Sequence, residues 1–330
     1  MTDFLRLQSY SMLPSVLRGA VLAIGNFDGV HRGHQQVLQK ALEIARAQNK
    51  PALVLTFEPH PRNFFQNSTP VYRLTEAAEK AEIFKVLGFN GVIEQPFDAQ
   101  FASLSADDFV TTILKQDLDV SVVVTGDNFQ FGCHKSGNVS LLSQRGKEEG
   151  FAVVQVSSVR SASGQTISSS LIRQLLAQKQ VEQAACLLGY HYRVRSDIIH
   201  GEKLGRLLGF PTANQALPYQ TTLAHGVYAV RLRRAHGVLY DGVASFGCRP
   251  TIVENGEVLL ETYVFNLAEE FYGESCTVSF LRFLRGQEKF DGVEPLIAQM
   301  QRDEREAKKV ITNVQPLSPL DQCLTFTDTN

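Results

Sequence analysis

The sequence predicts an α/β domain built on a mostly parallel sheet, followed by a smaller antiparallel domain that is a barrel or a sandwich. The first half alternates short apolar runs with helical periodicity. The second half strings together short apolar or alternating segments separated by turn residues. At 330 residues the chain is longer than one ordinary core supports, so two domains are expected.

The apolar runs of the first half are Ala20–Ile24, Ala52–Phe57, Gly91–Ile93, Val120–Thr125 and Phe151–Val156. Each carries Val, Ile or Leu on consecutive positions, as in strands buried on both faces. Between the first two, Val37, Leu38, Ala41, Leu42 and Ala45 recur at helical spacing within His34–Ala47. Similar patterns cover Glu76–Leu87, Ala106–Lys115 and Ser169–Ala177. The texture changes after Leu188. Tyr192–Ile199, Gly226–Arg233, Val238–Phe246, Val258–Phe265 and Cys276–Phe283 are short, with turns such as His236–Gly237 and Glu254–Asn255–Gly256 between them. An amphipathic helix over Val293–Lys308 closes this part. The expected division is 1–187, 188–316 and a polar C-terminal tail over 317–330.

Composition narrows the function. Hydrophobic residues are 44% and charged residues 20%, with a net charge of -2. That leaves no single-sign field to hold a nucleic-acid backbone. Cys133, Cys186, Cys248, Cys276 and Cys323 form no C-x-x-C pair, so neither a zinc site nor a disulfide framework is indicated. The first twenty residues lack the apolar core of a secretory signal, and no run is long enough to cross a bilayer. A cytoplasmic protein with reduced thiols is expected.

The first chemical centre follows Ile24. The string Gly25-Asn26-Phe27-Asp28-Gly29-Val30-His31-Arg32-Gly33-His34 joins a strand to a helix. Such a loop presents free N–H groups and the positive end of a helix dipole, and its glycines allow close backbone approach. His31 and His34, three apart, can aim donors at one phosphate. A glycine-rich turn with two solvated histidines is the plain alternative, and a metal on the pair lacks a third ligand nearby. Ser169 and Ser170 open a later helix with hydroxyls and free N–H groups, and Arg173 adds a charged fork one turn on. Taken alone, that segment is equally a serine-capped helix. Pro59 and Pro61 stiffen the loop in Thr56–Pro61.

The second centre is His200–Asn214, a glycine-rich flap ending in Pro211-Thr212-Ala213-Asn214. It is not a G-x-x-x-x-G-K-[ST] loop, yet its glycine N–H groups can cradle phosphates as a backbone nest. Thr212 and Asn214 point to one face of an extended segment. A hydroxyl and an amide oxygen suit magnesium, which also binds substrate phosphates.

In this order these strings resemble the prokaryotic bifunctional riboflavin kinase/FAD synthetases. The first half is similar to the nucleotidylyltransferase superfamily through Gly25–His34, Thr56–Pro61, Gly126–Gly132 and Ile167–Arg173. The second is similar to riboflavin kinases through Pro211–Asn214, Gly226–Val230, Gly247–Thr251 and Phe271–Gly273. The resemblance implies a Rossmann-like nucleotidylyltransferase domain with a parallel sheet, then a six-stranded antiparallel barrel with a C-terminal helix. It implies phosphorylation of riboflavin to FMN in the barrel and adenylylation of FMN to FAD in the first domain. ATP is the co-substrate, Mg2+ the cofactor, and pyrophosphate leaves in the second reaction. It further implies His31, His34 and Arg173 as catalytic in adenylyl transfer, with Gly25, Phe27, Asp28, Gly33, Asn128, Ser169 and Ser170 binding nucleotide or flavin. In the kinase, Glu261 is the implied general base, Thr212 and Asn214 the magnesium ligands, and Gly201, Lys203, Gly205, Arg206 and Pro211 the flap. The chain departs from the family pattern at Ser245, which stands at a usual Asn, at Gln287, which stands at a usual acid, and in the detail of the loop Cys133–Gly137. The competing readings are an adenylyltransferase for another phosphate, which would not need the Pro211–Asn214 module, and a flavin-binding protein without turnover.

Overall fold

The computed structural model describes residues 4–65, 72–161, 164–201, 209–218, 220–248, 258–267 and 269–329. Lys203, Gly205, Arg206, Arg249–Thr251 and the turn Glu254–Gly256 lie outside the described residues. The chain divides into two compact units, Met1–Ser168 and Ser169–Asn330.

The first unit is a parallel sheet with helices. Its strands are β1 (Leu5–Leu7), β2 (Val21–Ile24), β3 (Ala52–Glu58), β4 (Gly91–Pro96), β5 (Val122–Gly126) and, after the small pair β6 (Gln130–Phe131) and β7 (Gly137–Asn138), β8 (Ala152–Val156). The order is β1-β4-β3-β2-β5-β8, and every pairing is parallel. The apolar runs form the strands because Val21–Ile24 and Leu53–Leu55 are buried on both faces. From β2 the chain winds one way through β3 and β4, then returns to the other flank at β5. The carboxyl end of β2 is therefore a switch point, where open α/β sheets bind ligands.

Helix α1 (Arg32–Gln48) buries Val37, Leu38, Ala41, Leu42 and Ala45, the stripe its spacing predicts. Fully burying a side chain such as Leu38 stabilises by about 1.5–3 kcal/mol. α1 ends at Asn49, whose φ of 50° is left-handed. α2 (Ala77–Leu87) follows the expected span. The predicted helix from Ala106 begins as such over Ala106–Asp108 but continues as a π-helix over Phe109–Asp117, with Phe109, Val110, Ile113 and Leu114 buried. Sequence periodicity also passes over β1 and α3 (Val139–Glu149), whose start is capped by Asn138 Oδ1 accepting from Leu141 N–H.

In the second unit α4 (Ser169–Ala177) and α5 (Val181–Leu188) precede the strands β9 (Arg193–Ile199), β10 (Thr212–Leu217), β11 (Gly226–Arg233), β12 (Leu239–Cys248), β13 (Val258–Val264) and β14 (Ser275–Arg285). They form a closed barrel in the order β10-β13-β12-β11-β14-β9, sealed by antiparallel pairing of β9 with β10. This resolves the barrel-or-sandwich alternative. The fully buried Leu260 and Thr262 of β13 alternate with the half-buried Glu261 and Tyr263, so Glu261 stands on the other face of the strand. β10 escapes periodicity because its inner row contains Gln215, which is fully buried and donates to Ser196 O (2.7 Å) and Cys276 O (2.9 Å). α6 (Val293–Asn313) packs Ala307, Val310 and Ile311 against Ala229, Phe265 and Leu281.

The segment beyond Leu317, expected as a polar tail, is instead packed on the barrel. Leu320, Asp321, Leu324 and Thr325 are buried. Asp321 accepts from the N–H groups of His191 (3.0 Å) and Leu317 (2.9 Å) and pairs with His191 Nδ1 at 2.9 Å. Arg233 donates to the carbonyl oxygens of Cys323 (3.1 Å), Leu324 (3.0 Å) and Thr327 (2.9 Å). This strap satisfies its own backbone with side chains from 80 or more positions earlier in the chain, which is why its polar composition misleads.

Candidate functional site

The loop between β2 and α1 is held in a conformation few residues adopt. Phe27, Gly29 and Val30 have φ of 49°, 81° and 34°, and a β-branched residue there is costly. The surroundings enforce it. Asp28 is buried, and its Oδ1 accepts from Leu74 N–H (2.8 Å) and Thr75 N–H (3.3 Å). Gly29 N–H donates to Thr75 Oγ1 at 3.0 Å. Asp28 thus clamps the loop to the segment before α2. A Cβ on Gly25 would lie 3.0 Å from the Phe27 ring, and one on Gly33 would lie 3.2 Å from the His31 ring. These glycines leave room for the aromatic side chains of the loop.

His31 caps α1, its Nδ1 accepting from His34 N–H at 3.3 Å. That leaves Nε2 to carry the proton of the neutral ring. The two imidazoles stack with centroids 3.6 Å apart and an interplanar angle of 15°, and Phe27 meets the His34 ring edge-on at 5.4 Å. Burial pushes the His31 pKa down to about 4. His34 lies well below the usual histidine range, through burial first and then the neighbouring His31 and Lys80. His34 Nδ1 is buried and has no hydrogen-bond partner among the described residues. The site therefore presents two neutral, fixed imidazoles at a helix N-terminus, an arrangement suited to an anion.

Behind the loop lies a charged network that sequence reasoning missed. Buried Lys80 of α2 pairs with Glu58 at 2.7 Å, and Glu58 also pairs with Arg73. Glu58 belongs to the Thr56–Pro61 string, whose Glu58–Pro59 bond is cis. Asn128, beyond β5, is exposed. Its neighbour Asp127 accepts from the Ser158 hydroxyl (2.6 Å) and N–H (2.9 Å), and the Ser158 hydrogen bonds hold its carboxyl below the usual range. Ser169, Ser170 and Arg173 fall in the second unit, in the first turns of α4.

In the barrel, register assembles what spacing could not. Asn214 of β10 is paired with Glu261 of β13, and Glu261 is paired with Ser245 of β12. Directly paired residues share a face, so Ser245, Glu261 and Asn214 form one row, with Thr212 two residues along the same face. Asn214 is buried, and its Oδ1 has no hydrogen-bond partner among the described residues. Its Nδ2 donates to Thr212 O at 3.3 Å. An orphaned amide oxygen beside a hydroxyl is a donor set that fits a hard cation. Gly201 brings the flap's start against this amide, since a Cβ there would lie 2.4 Å from Asn214 Nδ2. The adjacent His200 ring packs on Tyr272 at 3.9 Å. At the flap's other end Pro211 is exposed, and the buried Phe210 packs edge-on to Tyr263 at 5.1 Å. Gln287 lies against Gly247, where a Cβ would come within 2.2 Å of its amide.

A switch-point loop bearing an imidazole pair, and a closed barrel with a carboxylate and amide in one row, define a transferase with two phosphate-handling centres. The FAD synthetase family model matches residues 13–171, and the riboflavin kinase model matches residues 188–311. The bifunctional riboflavin kinase/FMN adenylyltransferase of Haemophilus influenzae is 40% identical over 294 residues, 89% of this chain and 94% of that protein. The Escherichia coli K12 protein of the same name is 36% identical over 298 residues, 90% of this chain and 95% of that one. A crystal structure of a macrolide-efflux protein from Streptococcus pneumoniae superposes with a TM-score of 0.81 at 30% identity, covering 94% of this chain and 99% of that one. Among the described residues here, no helix is long and apolar enough to cross a membrane. The chain belongs to the bifunctional riboflavin kinase/FMN adenylyltransferase family.

Proposed function

We propose that this chain makes FAD from riboflavin in two steps. The barrel transfers the γ-phosphoryl group of ATP to riboflavin, and the α/β unit then joins FMN to the adenylyl group of a second ATP, releasing pyrophosphate. The observation that carries the reading is the barrel register, which sets Glu261 opposite Asn214 in a chain matched by both family models.

In the kinase step Glu261 takes the proton of the riboflavin 5′-hydroxyl as it attacks phosphorus. Thr212 and Asn214 would hold Mg2+, which when bound neutralises phosphate charge. Gly201, Lys203, Gly205, Arg206 and Pro211 are assigned to nucleotide binding by the sequence motif. In the adenylyl step the attacking group is the FMN phosphate, so the protein supplies no nucleophile. His31 and His34 donate to the phosphate oxygens as charge builds on the α-phosphorus. A bound polyphosphate favours protonation of both rings, so charge develops there only with nucleotide present. Gly25, Phe27, Asp28 and Gly33 shape this loop. The roles of Asn128, Ser169, Ser170 and Arg173 toward flavin and ATP phosphates rest on the sequence motifs alone. The functional boundary is set at 187/188, supported by the start of the riboflavin kinase match at 188.

The test is a product time course with riboflavin, ATP and magnesium, resolved by chromatography. FMN appearing first and FAD later is the expected result. Absence of both products would overturn the reading and favour an adenylyltransferase for another phosphate.

A further inference from the structure

Lys80 is buried at 4% exposure on α2, where an unpaired ammonium would be costly. Its Nζ forms an ion pair with Glu58 Oε1 at 2.7 Å and donates to Thr56 Oγ1 at 3.3 Å and to the Asn26 carbonyl oxygen at 3.4 Å. Thr56 Oγ1 donates to the same Asn26 oxygen at 3.1 Å. A residue on a helix and a residue on a strand thus grip one carbonyl in the middle of the switch-point loop. Neither family motif quoted from the sequence includes Lys80.

The grip has a directional consequence. In a planar trans peptide the C=O and the following N–H point to opposite sides. Holding the Asn26 carbonyl toward β3 and α2 therefore turns the Phe27 N–H away from them. Among the described residues that N–H has no acceptor, although the Phe27 side chain is buried. It sits one residue before the Asp28 clamp and beside His34, whose ring the Phe27 ring supports.

We propose that Lys80 is a positioning residue of the adenylyl-transfer site, holding the Asn26 carbonyl so that the Phe27 N–H faces the reacting phosphate. This rests on the assignment of adenylyl transfer to the first unit. The Phe27 N–H then acts with the imidazole pair as a preorganised donor for charge that builds during transfer.

The experiment compares wild type, Lys80→Met and Lys80→Gln in both half-reactions. Far-UV circular dichroism and the protease resistance of the first unit report whether each variant is folded, and FMN formation from riboflavin, carried by the barrel, is the control activity. Lys80→Met should lower kcat for FAD formation from FMN by about 10- to 100-fold, less than the roughly 100- to 1,000-fold of deleting an oxyanion donor outright. Its KM for ATP should stay within about threefold, because the interaction is made in the transition state. Lys80→Gln keeps an N–H donor for the Asn26 carbonyl and should recover part of kcat. A rise in KM at constant kcat, equal losses in both variants, or a parallel loss of FMN formation would each overturn the proposal. A wild-type protein inert toward FMN would instead overturn the assignment of the site itself.

Discussion

At the scale of the residue, the two centres should fail independently. His31→Ala removes a fixed donor worth about 3 kcal/mol of transition-state stabilisation. FAD formation from FMN should fall at least about 100-fold while FMN formation from riboflavin holds, as coupled chromatographic assays would show. Glu261→Gln should do the reverse, because the amide keeps the shape of the side chain but cannot accept the hydroxyl proton. Loss of both activities in either folded variant would contradict two separate sites. His31 also fixes a pH dependence. Its folded pKa of about 4 lies below its reference value of 6.5, so the unfolded chain binds the proton more readily. Its contribution to stability is complete above pH 6.5 and is lost as pH falls through 4, amounting to about 3 kcal/mol. Urea unfolding of the first unit at pH 7 and pH 4.5 should show a smaller acid loss in His31→Asn than in wild type. Equal losses would mean that His31 is not the group being protonated.

At the scale of the element, the strap over 317–329 makes the sharpest prediction. Asp321 is fully buried beside His191. Burial alone would raise its pKa, but hydrogen bonding from His191 and the backbone N–H groups of Leu317 and His191 brings it below the usual range. Asp321→Ala leaves those donors unanswered in the interior and should destabilise the barrel by about 3–5 kcal/mol, read as a lowered midpoint in thermal unfolding followed by kinase activity. A loss under about 1 kcal/mol would mean the strap is not held by this pair. The same element shows where sequence reading stops. Leu320 and Leu324 are four apart among polar residues, and the partners that fix the strap, His191 on Asp321 and Arg233 on the Leu324 carbonyl, lie far upstream. β10 was opaque for a related reason, since its buried Gln215 breaks the apolar alternation. β2 and β3 were legible because strands covered on both faces leave unbroken Val and Leu runs, and α1 because its buried stripe keeps strict helical spacing.

At the scale of the whole molecule, both motifs were legible as strings, but what joins their residues was not. The sequence places Asn214 and Glu261 nearly fifty positions apart, and only barrel closure brings them into one row. Lys80 looks like any surface cation of an amphipathic helix until β3 supplies Glu58 and Thr56 beneath it. The loop itself was recognised because Gly25 and Gly33 must make room for the Phe27 and His31 rings and Gly29 takes a left-handed φ, which keeps glycines at fixed places. The barrel's first strand and the strap are joined by contacts spanning about 130 residues, as in Arg193 to Leu324. During synthesis the α/β unit has its whole sheet available once Val156 has cleared the ribosome. The barrel cannot reach its final form until the residues near 321 have emerged as well. A nascent chain arrested shortly after residue 311 should therefore already carry a protease-resistant first unit, with a barrel still open to digestion.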